Sequence, residues 1–189
     1  MTKVLDALGR RGKLPRKLPL WITEFGYQTS PPDPYFGVPL KRAAAFMDVS
    51  EWLAFRNRRV ASYSQYTLQD EPPRSDGRPF SRWSTWQSGL RFGNGKPKPY
   101  VYGAFRLPFL VRSLGPDVVE LFGGGRSGAG PVATIEAKAP GGRYRSIASV
   151  PVNESGYFRH IVRLKKAYRH TFRLKLGGLT RIKRPIVVL

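Results

Sequence analysis

Behind Leu114 the sequence falls into about seven short apolar–polar runs, at 118–122, 131–137, 143–150, 157–164, 168–175, 180–183 and 185–189. Gly- and Pro-bearing stretches (GGGRSGAG, APGG, NESG and LGG) separate most of them. Alternation with a period of two puts every second side chain on one face of a strand, and runs this short build no long helix. A series of short strands at a spacing of roughly 8–12 residues predicts a small antiparallel β-sandwich. The Gly-rich stretch GGGRSGAG lacks both the Lys-Ser/Thr ending and the helix that a phosphate loop needs.

The first part of the chain has a different grammar. Residues 18–25 (LPLWITEF) form a mostly apolar run closed by Gly26, the pattern of a buried parallel strand. The loop QTSPPDPYFGVP follows, and Pro39 stands before a helix expected over about 40–57, with Ala43, Phe46, Met47, Trp52, Leu53 and Phe55 on a broad apolar face. Residues 59–68 (RVASYSQYTL) read as a second strand. A Pro-rich loop comes next, and residues 97–106 read as a short helix opened by Pro. Strand, helix, strand, helix is the repeat of an α/β unit with a parallel sheet. The two halves meet at the SLGPD punctuation, so the expected domains are 1–114 and 115–189.

The chain has no Cys and two His (His160 and His170), which excludes disulfides, thiol catalysis and Cys-ligated zinc and leaves no metal-ligand set. No cofactor is expected. No run approaches the length of a membrane span, and the first residues show no secretion signal. The net charge is +21, and Arg outnumbers Lys 22 to 11. The charge is spread, with +11 in residues 1–114 and +10 in the remainder. The densest stretch, RLKKAYRHTFRLK, is expected to be the solvated face of a strand pair, with binding to an anionic polymer as the alternative. Zinc fingers, aromatic RNA-binding strands and basic zippers are absent, which disfavours nucleic acid as the partner.

One carboxylate stands out. Glu24 lies at the end of an apolar strand, before a Gly turn, where apolar neighbours would desolvate it and suit it to acid–base or nucleophilic work. A buried Glu paired with an Arg is the alternative.

The segment LPLWITEFGY (18–27) resembles the seventh strand of the (β/α)8 glycoside hydrolases of the large retaining superfamily, through Trp21, Thr23, Glu24 and Gly26. RVASYSQYTLQDE resembles the eighth strand and its loop. WQSGLRFGNGKPKPYVYGAFR resembles the end of such a domain, and the second half resembles the immunoglobulin-like modules that follow secreted hydrolases. The resemblance implies a fold of α/β plus all-β class: a partial (β/α)8 barrel of the last two βα units, followed by the sandwich. It implies Glu24 as nucleophile, Gln65, Tyr66, Asp70 and Trp86 as substrate-binding residues, a polysaccharide or oligosaccharide substrate, and an extracellular setting. A retaining glycosidase needs two carboxylates about 5–5.5 Å apart. The acid/base partner would come from a fourth strand that is not here, since Asn-Glu occurs only at Asn153-Glu154. The expectation is therefore a hydrolase segment inactive by itself, completed by the missing N-terminal part of the barrel. The alternative is a non-catalytic protein that binds polysaccharide or polyanion.

Overall fold

The computed structural model describes residues 2–75, 78–126 and 128–188. Asp76 and Gly77 of the Pro-rich loop, Ser127 of the Gly-rich stretch and Leu189 of the last expected strand lie outside these residues. The first half comprises α1 (Thr2–Arg10), β1 (Leu20–Phe25), the two-residue strands β2 (Thr29–Ser30) and β3 (Val38–Pro39), α2 (Leu40–Arg56), β4 (Val60–Gln65), and the short helices α3 (Pro79–Arg82) and α4 (Val101–Arg106). The second half comprises β5 (Phe109–Gly115), β6 (Val118–Gly124), β7 (Val132–Lys138), β8 (Arg145–Pro151), β9 (Tyr157–Arg163), a 3₁₀ turn at Ala167–Arg169, β10 (Thr171–Leu176) and β11 (Leu179–Lys183).

The partial barrel is not what forms. β1 and β4 do pair in parallel, but they make an isolated two-stranded sheet with two irregularities in its register. The other parallel pair, β2 with β3, is two residues long. All pairing in the larger sheets is antiparallel, in the orders β5-β6-β9 and β11-β10-β7-β8. A (β/α)8 barrel needs eight parallel strands closed on one another. The strand at 18–25 was expected to be buried, yet Trp21 is 68% exposed. Trp21, Thr23 and Glu24 of β1 are all exposed, so the apolar run did not imply a sheet covered on both sides.

The sandwich is built by alternation. In β10, Phe172, Leu174 and Leu176 point inward and Arg173 and Lys175 outward; in β7, Ala133, Ile135 and Ala137 point inward. They meet Phe109, Val111, Val119, Leu121, Phe158 and Val162 of the opposite sheet in one core. Gly177 and Gly178, both at positive φ, close the β10–β11 hairpin in the conformation that a two-residue loop requires. The sandwich begins earlier than 115, because β5 starts at Phe109 and its Phe109 and Val111 are core residues. The last residues, expected as a strand at 185–189, contribute one parallel bridge, Ile186 to Arg112.

Helix α2 joins the two halves. Ala43, Ala44 and Met47 pack on Leu90, Val101 and Ala104. One turn on, Trp52 packs on Leu110 and Phe122, which lie on the outer face of the three-stranded sheet. This coverage explains why β6 is buried along nearly its whole length. Two acids on the helix complete the joint. Asp48 accepts hydrogen bonds from the Phe109 amide (3.0 Å) and both terminal nitrogens of Arg181 (2.8 Å each), and it pairs with Lys183. Glu51 accepts from Arg126 (2.8 and 3.0 Å) and from the Tyr157 hydroxyl. Burial, reinforced by Glu51, pushes the Tyr157 hydroxyl up to about 12.

Candidate functional site

The residues singled out around the ends of β1 and β4 divide into two groups. Gln65, Tyr66 and Trp86 are brought together. The Gln65 amide donates to the carbonyls of Tyr66 (2.9 Å) and Ser88 (2.8 Å), which ties the end of β4 to the following loop. The Tyr66 ring meets Trp86 edge-on, with ring centres 5.7 Å apart. Trp86 is 51% exposed, and its amide donates to Glu71. Gly26 is required here: a Cβ on it would lie 2.4 Å from the Tyr66 carbonyl.

Glu24 and Asp70 do not join that group. Glu24 is solvent-exposed and makes no ion pair with another described residue, so neither the apolar desolvation nor the Arg partner considered from the sequence is present. Asp70 is 4% exposed and is turned into the protein. It accepts from the Lys98 ammonium (2.6 Å) and the Gly89 amide (2.9 Å). Lys98, fully buried, gives its other two protons to Thr29 Oγ1 (2.7 Å) and the Gln87 carbonyl (2.8 Å). Burial pushes the Lys98 ammonium down and the Asp70 carboxyl up, each opposed by the hydrogen bond between them. The group is a staple between three loops, closed to ligand. Lys98 was missed because KPKPY reads as the opening of a helix. An ammonium between two prolines gives no sign that it will be buried.

Three more acids are held by cations of the chain itself. Glu120, 1% exposed, pairs with Arg112 and Arg159. Burial raises its carboxyl, but the two guanidiniums outweigh that and hold it below the usual carboxylate range. Glu136 pairs with Arg173 and Lys175, and Asp6 pairs with Arg59. Most Lys and Arg carry no ion pair among the described residues, and the positive charge faces outward.

That charge borders a concave surface beside α4. A groove of about 650 Å³ runs between α4, the start of α2, and β11. Lys41, Arg106 and Arg184 stand exposed on its rim, and Leu107 and Ala44 lie buried beneath it. Arg181 and Lys183 also line it but are committed to Asp48. Tyr100, 62% exposed, sits at its edge in an uncommon backbone state, φ 66° and ψ −49°. The Val101 amide donates to the Pro99 carbonyl (2.8 Å), closing a γ-turn around Tyr100. No sequence signal pointed to this groove, because its walls come from three segments (41–44, 100–107 and 179–184) that lie far apart in the chain.

No family model matches the chain, and no curated protein matches it. The resemblance to retaining glycoside hydrolases is therefore without support from any family, and the fold departs from theirs. Among solved structures, the chain is similar to the MHC-like protein MILL2 at 10% identity and a TM-score of 0.29, over 49% of this chain and 46% of that one. The chain thus spans less than half of the structure it matches. A likeness this slight defines neither fold nor role. No helix among the described residues is long and apolar enough to cross a membrane.

Proposed function

We propose that this chain is a non-catalytic binder of an anionic polymer, a polysaccharide bearing carboxylate or sulfate groups. One observation carries the reading: four of the five buried carboxylates, Asp48, Glu51, Asp70 and Glu120, are paired with cations of the chain itself, while most Lys and Arg keep no ion pair among the described residues. A surface of that kind attracts polyanions by releasing their counter-ions, and its affinity falls steeply with salt. The same arrangement favours binding over acid–base catalysis, since the buried carboxylates are held by cations or, at Asp33, by the Tyr35 and Phe36 amides, and Glu24 is exposed with no ion pair among the described residues.

The test is retention of the whole chain on immobilised polygalacturonate and heparin, beside a neutral polysaccharide, across a salt series. Retention on the acidic polymers at low salt, lost as salt rises and absent on the neutral one, is the expected result. Free passage through both acidic columns at low salt overturns the reading.

A further inference from the structure

We infer that the groove between α4 and β11 is a specific site for a short acidic oligosaccharide, with Lys41, Arg106 and Arg184 holding its anionic groups and Tyr100 covering one sugar face. This deepens the polyanion reading and rests on it. The groove's volume, about 650 Å³, lies within the range typical of small-ligand sites. Its three rim cations are exposed and free of ion pairs among the described residues, so their charge is available to a ligand. Arg181 and Lys183 stay tied to Asp48, which fixes the β11 wall against α2 and keeps it from collapsing onto the cavity.

Tyr100 supplies the second, independent observation. A non-glycine residue at the centre of a γ-turn with positive φ is strained, and such strain persists where the surrounding structure imposes it. Here the strain places an aromatic ring at the mouth of a cationic groove, exposed to solvent.

The same features choose between classes of polyanion. Single-stranded nucleic acid is held by several aromatic platforms on which successive bases stack. In this groove one ring is open. The Tyr102 ring is already covered by guanidiniums, Arg91 at 5.0 Å and Arg106 at 5.9 Å, and its hydroxyl accepts from Arg91. One open ring with three spaced cations matches a short run of charged sugars, one stacked and its neighbours held by charge.

A second basic patch provides the control. Lys165, Lys166, Arg169 and His170 border another hollow beside Ala139 and Pro140, and no Tyr, Trp or Phe lies among the described residues that line it.

The experiment measures binding of two probes, a galacturonate tetramer and a sulfated heparin tetrasaccharide, by titration calorimetry on the full chain. Three proteins are compared: wild type, the Lys41→Ser/Arg106→Ser/Arg184→Ser variant, and a Lys165→Ser/Lys166→Ser/Arg169→Ser variant. All substituted residues are exposed and carry no ion pair among the described residues, and equal melting temperatures show that each variant folds. The expected result is a loss of about tenfold or more for at least one probe in the groove variant, with less than about threefold change in the control. The probe that loses affinity identifies carboxylate or sulfate as the recognised group. Tyr100→Ala should weaken the same probe. Equal binding by wild type and groove variant overturns the site; if both still bind long polygalacturonate or heparin, the broader polyanion reading survives. A wild type that binds neither tetramers nor polymers overturns both. Tighter binding of an oligodeoxythymidine than of either tetramer, lost in the groove variant, overturns the saccharide assignment.

Discussion

Replacing Lys98 by methionine removes the cation paired with the buried Asp70 carboxylate, and the structure locates where the cost falls. Lys98 donates to three acceptors. Two of them keep other partners when it is gone. Thr29 Oγ1 still donates to the Gln87 carbonyl (3.1 Å), and that carbonyl still accepts from the Thr29 amide (3.2 Å). Asp70 keeps only the Gly89 amide, and its second oxygen is buried with no partner even in the intact protein. The penalty therefore concentrates on one uncompensated carboxylate, for which about 3–5 kcal/mol is the usual cost. For a chain of this size that is a fall of roughly 6–20 °C in melting temperature. Asp70→Asn in the same chain should restore much of the loss, because a neutral amide can stay buried at far less cost. Urea unfolding of wild type, Lys98→Met, Asp70→Asn and the double variant forms a cycle, with an expected coupling of about 2–3 kcal/mol. The pH dependence has a definite sign. Burial raises the folded carboxyl above its unfolded value, and losing Lys98 raises it further. The destabilisation of Lys98→Met should be largest at neutral pH and shrink as pH falls toward about 4, where the unfolded carboxyl also takes up a proton. A Lys98→Met protein within about 1 kcal/mol of wild type, or strictly additive single variants, would refute the reasoning.

Tyr100 can be examined through its backbone alone: Tyr100→Gly should be more stable than Tyr100→Ala by about 1 kcal/mol, since both lose the ring and only glycine tolerates the positive φ freely. Equal melting temperatures for the two would show that the γ-turn carries no strain. Glu120 sits below the ordinary carboxylate range, so its contribution is present above the unfolded value of about 4.3 and is lost as pH falls through its folded value. Glu120→Gln should accordingly be less stable than wild type at pH 7 and lose less stability on acidification, measured by thermal melts at several pH values. Asp48→Ala cuts the joint between α2, β11 and the Phe109 amide. It should cost about 3 kcal/mol, the lower part of the range for buried pairs because Arg181 and Lys183 can reach water, and protease cutting near α2 should rise in step. Unchanged stability would mean that apolar packing around Trp52 holds the halves together by itself.

The antiparallel half was legible because its signals are local. Alternation in TFRLKL and VATIEA assigns a face to each residue, and a Gly pair marks the hairpin, so strands β7, β10 and β11 follow from neighbours a few positions apart. The positions of β1, α2 and β4 were legible for the same reason. Their assembly was not. An apolar run such as LWITEF states that a strand forms and leaves open how many strands pair with it, and here one does. The resemblance filled that gap with a barrel, and the packing did not bear it out.

The chemistry of single residues followed the same division. Composition alone established the excess of positive charge and the absence of thiol chemistry. It could not say that Asp70 would point inward onto Lys98, that Glu24 would face water, or that Asp48 would draw Arg181 across 133 positions of sequence. Burial and pairing depend on which surfaces meet, and those surfaces are brought together by contacts between residues far apart in the chain. The sequence by itself determined the period of each strand and the sign of the surface. The tertiary structure decided which charges are cancelled inside and which remain free around the groove, because only close approach removes a charge from water.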